Sequence, residues 1–495
     1  MSADSAYDRL SDLAGEIHAF SSSLSLLWWD EETGLPPKAI SWRARQTEAL
    51  SSHAHRLSTS DDFGDLLARC EDEEKTPDTT RAANLRLWRE NYDRNRKLPA
   101  SFVAEEASTG THARTAWATA RSQNNFATFL PWLEKQVELR RRKVDYLGYE
   151  EHPYDALLNL YERGMKASEA GTVLGDLQKR LVEFLPAALE HAKSVPSDLL
   201  DGDYPIEKQT AFNREVLASL GFDFEAGRLD TTTHPFCSRI TPGDVRLTTR
   251  YNECNFSDAF FGCLHEMGHG LYEQGLPEDE ATRPVGQSVS LGIHESQSRL
   301  WENHVGRSPE FWEKWLPLAA KYFPHLARRT PEEMTLALNR AEPGFIRVGS
   351  DEATYDLHIC LRFGLELDLV TGDLAARDLA GEWNRRFKEL TGLDVPDDRR
   401  GCLQDIHWSM GAIGYFATYS LGNLLAAQLM ESARCEPTIA AACDRADYAP
   451  LLGWLRDHIH GPGSMYTPGE LILRATGKPL AADAFLNHLR RRYTR

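Results

Sequence analysis

The stretch His265-Glu266-Met267-Gly268-His269 constrains this chain more than any other five residues. A helix turns once in 3.6 residues, so side chains four apart project from one side and both imidazoles can reach a common ion. Glu266 points about 100° round the helix, where its carboxylate can hold a water rather than the metal. The residues before it supply a helix start. Ser257 or Asp258 can cap it, and Ala259, Phe260, Phe261 and Leu264 form an apolar side. Two histidines merely packed on a buried helix, with no ion, is the plain alternative.

A catalytic zinc takes three protein ligands and keeps one position open, so a third donor must come from elsewhere. One known arrangement needs a glycine and then a histidine after His269, but those positions hold Tyr272 and Gly275. The other route is a carboxylate from a later helix. The segment from Leu291 to Asn303 has Ile293, Leu300 and Trp301 for a packed face and is unusually dense in His294, Glu295 and Gln297. A loop rich in turn formers, from Gly275 to Gly286, lets the chain return. Glu295 is the favoured ligand. Glu302, on a similar helix face, is its rival, and His294 is a further candidate about 100° away.

The 495 residues are enough for two or three domains or for one large helical enzyme. With 41% apolar and 26% charged residues the composition is that of a globular protein, and a net charge of −18 argues against a nucleic-acid partner. No apolar run of about 18 residues occurs, so no membrane span is expected, and the start from Met1 lacks the pattern of a secretory leader. The eight cysteines are scattered without a C-x-x-C pair, which predicts reduced thiols in the cytoplasm.

Three- and four-residue spacing of Leu10, Leu13, Ile17, Phe20, Leu24 and Leu27 predicts a first helix ending near Trp28-Trp29, with the tryptophans anchoring its end in the core. A polar loop at 71–80 precedes helices at 80–97, 101–122 and 125–148; the basic run Arg140-Arg141-Arg142-Lys143 reads as a solvated face. A short helix to Glu162 and a long one over 168–193 follow. The Pro- and Gly-bearing stretch 194–205 suggests two parts of one unit, a helical 1–200 and a metal-bearing 201–495. The one β-like region is 234–251, where Val245, Leu247 and Thr249 alternate with polar residues after a Pro242-Gly243 turn. The expected fold is mainly α, with a hairpin near the metal helix and a cleft between the two parts. Gly268 and Gly270 suggest that another backbone packs closely on that helix.

Six stretches in order resemble the carboxypeptidase Taq family of metallocarboxypeptidases, peptidase family M32. They are His234-Pro235-Phe236; Asp244, Arg246 and Thr248; His265 to His269; His294 to Gln297; Ile346, Arg347, Ser350 and Asp351; and Gly401, Gln404, Asp405, His407 and Trp408. The Trp29 to Thr33 and Tyr419 to Asn423 stretches also look like family features, and the one departure is Ser350, where the family carries alanine. The resemblance implies a neurolysin-like gluzincin fold and a homodimer. It implies one divalent metal per subunit, with zinc favoured and cobalt or manganese acceptable, held by His265, His269 and Glu295. It further implies Glu266 as general base, Tyr419 as a catalytic donor, and removal of C-terminal residues from peptides with broad specificity but poor handling of proline. Arg347 is the implied carboxylate-binding residue, with Arg246 second and His407 nearby. Asp244, His294, Asp351, Gln404 and Asp405 are expected to orient the ligands. Other readings are a zinc oligoendopeptidase, which needs no carboxylate-binding arginine, and a non-catalytic helical binding protein.

Overall fold

The computed structural model describes residues 5–494 except 75, 77 and 78; the polar loop expected at 71–80 thus lies partly outside the described residues. Most of the chain is helical, with one small sheet. The helices expected at 80–97, 101–122, 125–148 and 168–193 occur at Thr80–Lys97, Ala100–Gln123, Phe126–Leu147 and Ala167–Ala192. The short one expected to reach Glu162 is Pro153–Leu158. Among the described residues no helix is long and apolar enough to cross a membrane.

The first helix runs further than expected, over Ala6–Thr33, because nothing before Gly34 interrupts its hydrogen bonds. Its tryptophans are not core anchors. Trp28 is 45% exposed and packs on Phe236 at 4.3 Å between ring centroids. Trp29 lies under the Arg246 guanidinium at 4.3 Å, so the helix end braces the sheet rather than the core.

The sheet has three strands: β1 (Gly227–Thr231), β2 (Cys237–Thr241) and β3 (Asp244–Thr249). β2 and β3 form the expected antiparallel hairpin around Pro242-Gly243, while β1 pairs parallel to β3. Periodicity missed β1, whose five residues carry only Leu229 as an apolar signal. The alternation on β3 also fails at its end: Thr248 is buried, and its hydroxyl exchanges hydrogen bonds with the Phe236 backbone.

Apolar packing ties both sides of the 194–205 loop together. One cluster joins residues between Ala113 and Ala192 to residues between Ala341 and Tyr493. A second gathers the metal helix, the sheet and residues 425–472. A smaller one, around Leu10, Leu67 and Trp88, belongs to the N-terminal helices.

Candidate metal and substrate site

The helix Phe256–Glu273 carries His265, Glu266 and His269. Its cap is Asn255, whose side chain accepts from Ser257 N at 2.9 Å, rather than Ser257 or Asp258. Those two follow the first turn's start, where they already lie inside the helix. The helix crosses Leu291–Arg299, the helix of Glu295, at Gly268. A methyl group there would stand 2.5 Å from the Gln297 carbonyl oxygen and 2.6 Å from Ser298 Cα, so only glycine lets the two backbones touch. Gly270 meets side chains instead, Phe222 and Leu247.

The crossing brings three donors together. Glu295 Oε2 lies 3.6 Å from His265 Nε2 and 3.5 Å from His269 Nε2. Two ligands of a tetrahedral zinc with bonds near 2.1 Å stand about 3.4 Å apart, so the spacing fits such an ion. The donor chemistry fits as well. Burial and the neighbouring His294 push the His269 pKa down to about 3, which keeps its imidazole neutral. Burial opposes the Glu295 charge, but Arg299 and the histidines outweigh it and hold the carboxyl well below its usual range. Arg299 Nε donates to Glu295 Oε1 at 2.7 Å, leaving Oε2 for the histidines.

Glu302 and His294 take other parts. Glu302 Oε2 lies 2.9 Å from His265 Nδ1, on the far side of the ring from Glu295. As a carboxylate it only accepts, so Nδ1 carries the proton and Nε2 presents its lone pair. His294 Nε2 lies 2.8 Å from Glu273 Oε1, and its Nδ1 lies 2.5 Å from His269 Nδ1. With Glu273 accepting from a neutral His294, that ring's bare Nδ1 accepts from His269, and His269 Nε2 also faces the ligand cluster unprotonated. Glu273 gave no sequence signal beyond lying one turn past His269.

The acids expected to orient the histidines, Asp244, Asp351 and Asp405, do not reach them; Glu302 and Glu273 stand in their place. Asp244 forms a two-bond pair with Arg246, both at 2.7 Å. Asp351 caps the helix Glu352–Thr371. Gln404 accepts from Arg347 N at 2.9 Å. Asp405 is shared between Arg347 and Arg362, and the two guanidinium groups hold its carboxyl far below the usual range against the cost of burial. Asp244, Gln404 and Asp405 fix arginines and Asp351 a helix start, because loops 344–351 and 401–408 pack on each other rather than on the helix of His265.

Arg347 is 5% exposed; Nε and Nη2 donate to Asp405, and Nη1 donates to the Tyr355 hydroxyl at 2.8 Å. Five N–H groups less these three leaves two for a ligand. Tyr419 lies against it, with the guanidinium 4.8 Å from the ring centre, and burial raises the phenol's pKa well above its ordinary value. His407 Nε2 is 3.3 Å from the Tyr419 hydroxyl, and burial pushes its pKa down to about 4. Arg299, which holds Glu295, also packs over the Tyr355 ring at 4.7 Å, linking the arginine cluster to the ligand cluster. The Ser350 hydroxyl is engaged, donating to Ile346 O at 3.1 Å and lying 3.0 Å from His358 Nε2. A cavity of about 1120 Å³ opens beside the Glu295 helix, lined by His18, Arg86, Arg163, Tyr161 and Ser290, but not by the ligands themselves.

A largely helical fold in which two histidines of one helix and a glutamate of the next converge, with a free glutamate between the histidines, defines a metal-dependent peptidase. The match to the model of the carboxypeptidase Taq (M32) metallopeptidases extends over residues 9–493, so the chain belongs to that family of metallocarboxypeptidases. It is 40% identical to thermostable carboxypeptidase 1 of Thermus thermophilus over all of this chain and 99% of that one. It is 33% identical to carboxypeptidase 1 of Bacillus subtilis over 98% and 97% of the two chains. The crystal structure of the M32 carboxypeptidase from Deinococcus radiodurans, 38% identical, superposes with a TM-score of 0.95 over 99% of both chains.

Proposed function

We propose that the chain hydrolyses the last bond of peptides with a free C-terminus, with one zinc ion held by His265, His269 and Glu295 and with Glu266 as general base. When bound, the ion polarises the scissile carbonyl and lowers the pKa of water from about 15.7 towards about 7. Cobalt or manganese suit the same donors. The remaining work falls to side chains. The Glu266 carboxyl, pushed up to about 7 by burial, takes a proton from the attacking water and returns it to the departing amine nitrogen. The Tyr419 hydroxyl, kept neutral by burial, donates to the carbonyl oxygen as charge grows there, and His407 fixes its rotation. Arg347 takes the terminal carboxylate with its two remaining N–H groups, while Asp405 and Tyr355 hold its plane still. Arg246 is a weaker candidate because Asp244 already fills one side of its guanidinium.

The observation that carries this reading is the convergence of His265 Nε2, His269 Nε2 and Glu295 Oε2 beside an arginine with two spare donors. A peptide and its C-terminally amidated form test it: the amide should be cut far more slowly, and equal rates would overturn the exopeptidase reading. Family membership supports broad tolerance of the terminal side chain and poor handling of proline, which a panel of blocked dipeptides measures. The proposal extends to a cytoplasmic homodimer, with residues 1–200 and 201–495 as the two sides of the cleft. The eight free cysteines support a reducing compartment, and light scattering reads out the dimer.

A further inference from the structure

A second group of donors, two buried and one half-buried, lies outside the site above. His304, Glu352 and His488 bring ring nitrogens and a carboxylate oxygen within 4.8 Å of one another. They come from three elements: the π-helical segment Leu300–Gly306, the start of the helix Glu352–Thr371, and the last helix, Asp483–Tyr493. His488 Nε2 lies 3.0 and 3.1 Å from the two Glu352 oxygens, and the His304 and His488 rings stand 4.0 Å apart.

The arrangement repeats the design of the His265 cluster. There, Arg299 holds one oxygen of Glu295, and the other faces two imidazoles and the Ser298 hydroxyl. Here, Arg492 lies 3.5 Å from Glu352 Oε2 while donating to the Asn303 carbonyl, and His488 Nε2 faces both Glu352 oxygens. Among the described residues, neither ring nitrogen of His304 makes a hydrogen bond; it only stacks on a like ring. The contacts among Glu352, His488 and Arg492 engage those three residues without His304, whose half-buried ring stands beside them. Burial lowers the pKa of both rings, which keeps their lone pairs available near neutral pH.

We propose that His304, Glu352 and His488 form a second divalent metal site, separate from the His265 cluster, for an ion of the zinc class. Two imidazoles and a carboxylate are a zinc-type donor set. Binding through His488 Nε2 needs the tautomer whose proton sits on Nδ1, so the proton that faces Glu352 moves to the other ring nitrogen and the ion takes its place. The ion would tie the segment bearing Glu302, the helix that follows the Arg347 turn, and the C-terminal helix into one brace.

The test is a metal count. Full-length protein stripped with a chelator, reloaded with zinc chloride and desalted should retain two equivalents per chain by elemental analysis. H304Q and H488Q should each retain one, and so should a variant with His265→Ala and His269→Ala. His488 is deeply packed, so a cobalt(II) titration of the unmodified protein serves as the measurement free of folding effects. It should show two successive absorption increments. A single equivalent in the unmodified protein overturns the proposal, as does retention of two equivalents by H304Q.

Discussion

The cluster of His265, His269 and Glu295 and the residues around Arg347 lie a few contacts apart, joined through Arg299 and Tyr355, yet they are positioned in different ways. His265, His269 and Glu295 stand on regular helices whose crossing is set by Gly268. Arg347, Asp405 and His407 sit on short turns, held by polar contacts between segments some sixty residues apart in the chain. On the helical side, geometry places the donors and packing holds them. On the loop side, each polar group is placed by another polar group, so losing one member loosens the rest.

That contrast can be broken by substitution. The largest effect should come from Glu266→Gln, which keeps the shape of the helix and removes the base: a fall in kcat of about 10²–10⁴-fold with zinc content unchanged. Turnover surviving at the original rate would remove Glu266 from the mechanism. Arg347→Gln takes two charge-assisted hydrogen bonds from the terminal carboxylate, so kcat/KM should drop about 100-fold on free peptides. The little activity on amidated peptides should stay put, and an equal loss on both would mean that the variant acts by collapse of the Asp405 network. Glu302→Gln removes the anion behind His265 and should weaken zinc about 10-fold, read by competition with a chromophoric chelator. Unaltered affinity would show that the helix crossing alone orients the ring. The smallest effect belongs to Ser350→Ala, which leaves His358 short of one partner and should cost about 1 kcal/mol in chemical unfolding. A neutral result would place the loop side closer to the helical side than its wiring suggests.

The same contrast explains what could be read in advance. Helical spacing paired His265 with His269 and favoured Glu295 over Glu302, and the family resemblance named Arg347 and Tyr419. The hairpin of β2 and β3 was legible from alternation, whereas β1 was not, because Leu229 is the one apolar residue among its five. The orienting acids went wrong for a physical reason. Glu302 reaches His265 across the helix crossing and Glu273 reaches His269 through His294, while Asp244, Asp351 and Asp405 sit in motifs dense enough to attract attention but face arginines and a helix cap. Spacing says which side chains share a face; it does not say which acid is already taken.

The π-helical segment Leu300–Gly306 has a meaning of a different kind. A π turn is an α-helix holding one residue too many, with the surplus bulging out while the flanking turns stay in line. Glu302 lies inside that surplus and Glu295 before it, so the two carboxylates that grip opposite nitrogens of His265 belong to different windings of one continuous rod. Chain length, not side-chain identity, is the variable that sets their relative angle. Removing Trp301, the one residue of the segment between Leu300 and Glu302, would shorten the winding between the two carboxylates and swing Glu302 away while leaving Glu295 in place, a change that no point substitution can imitate.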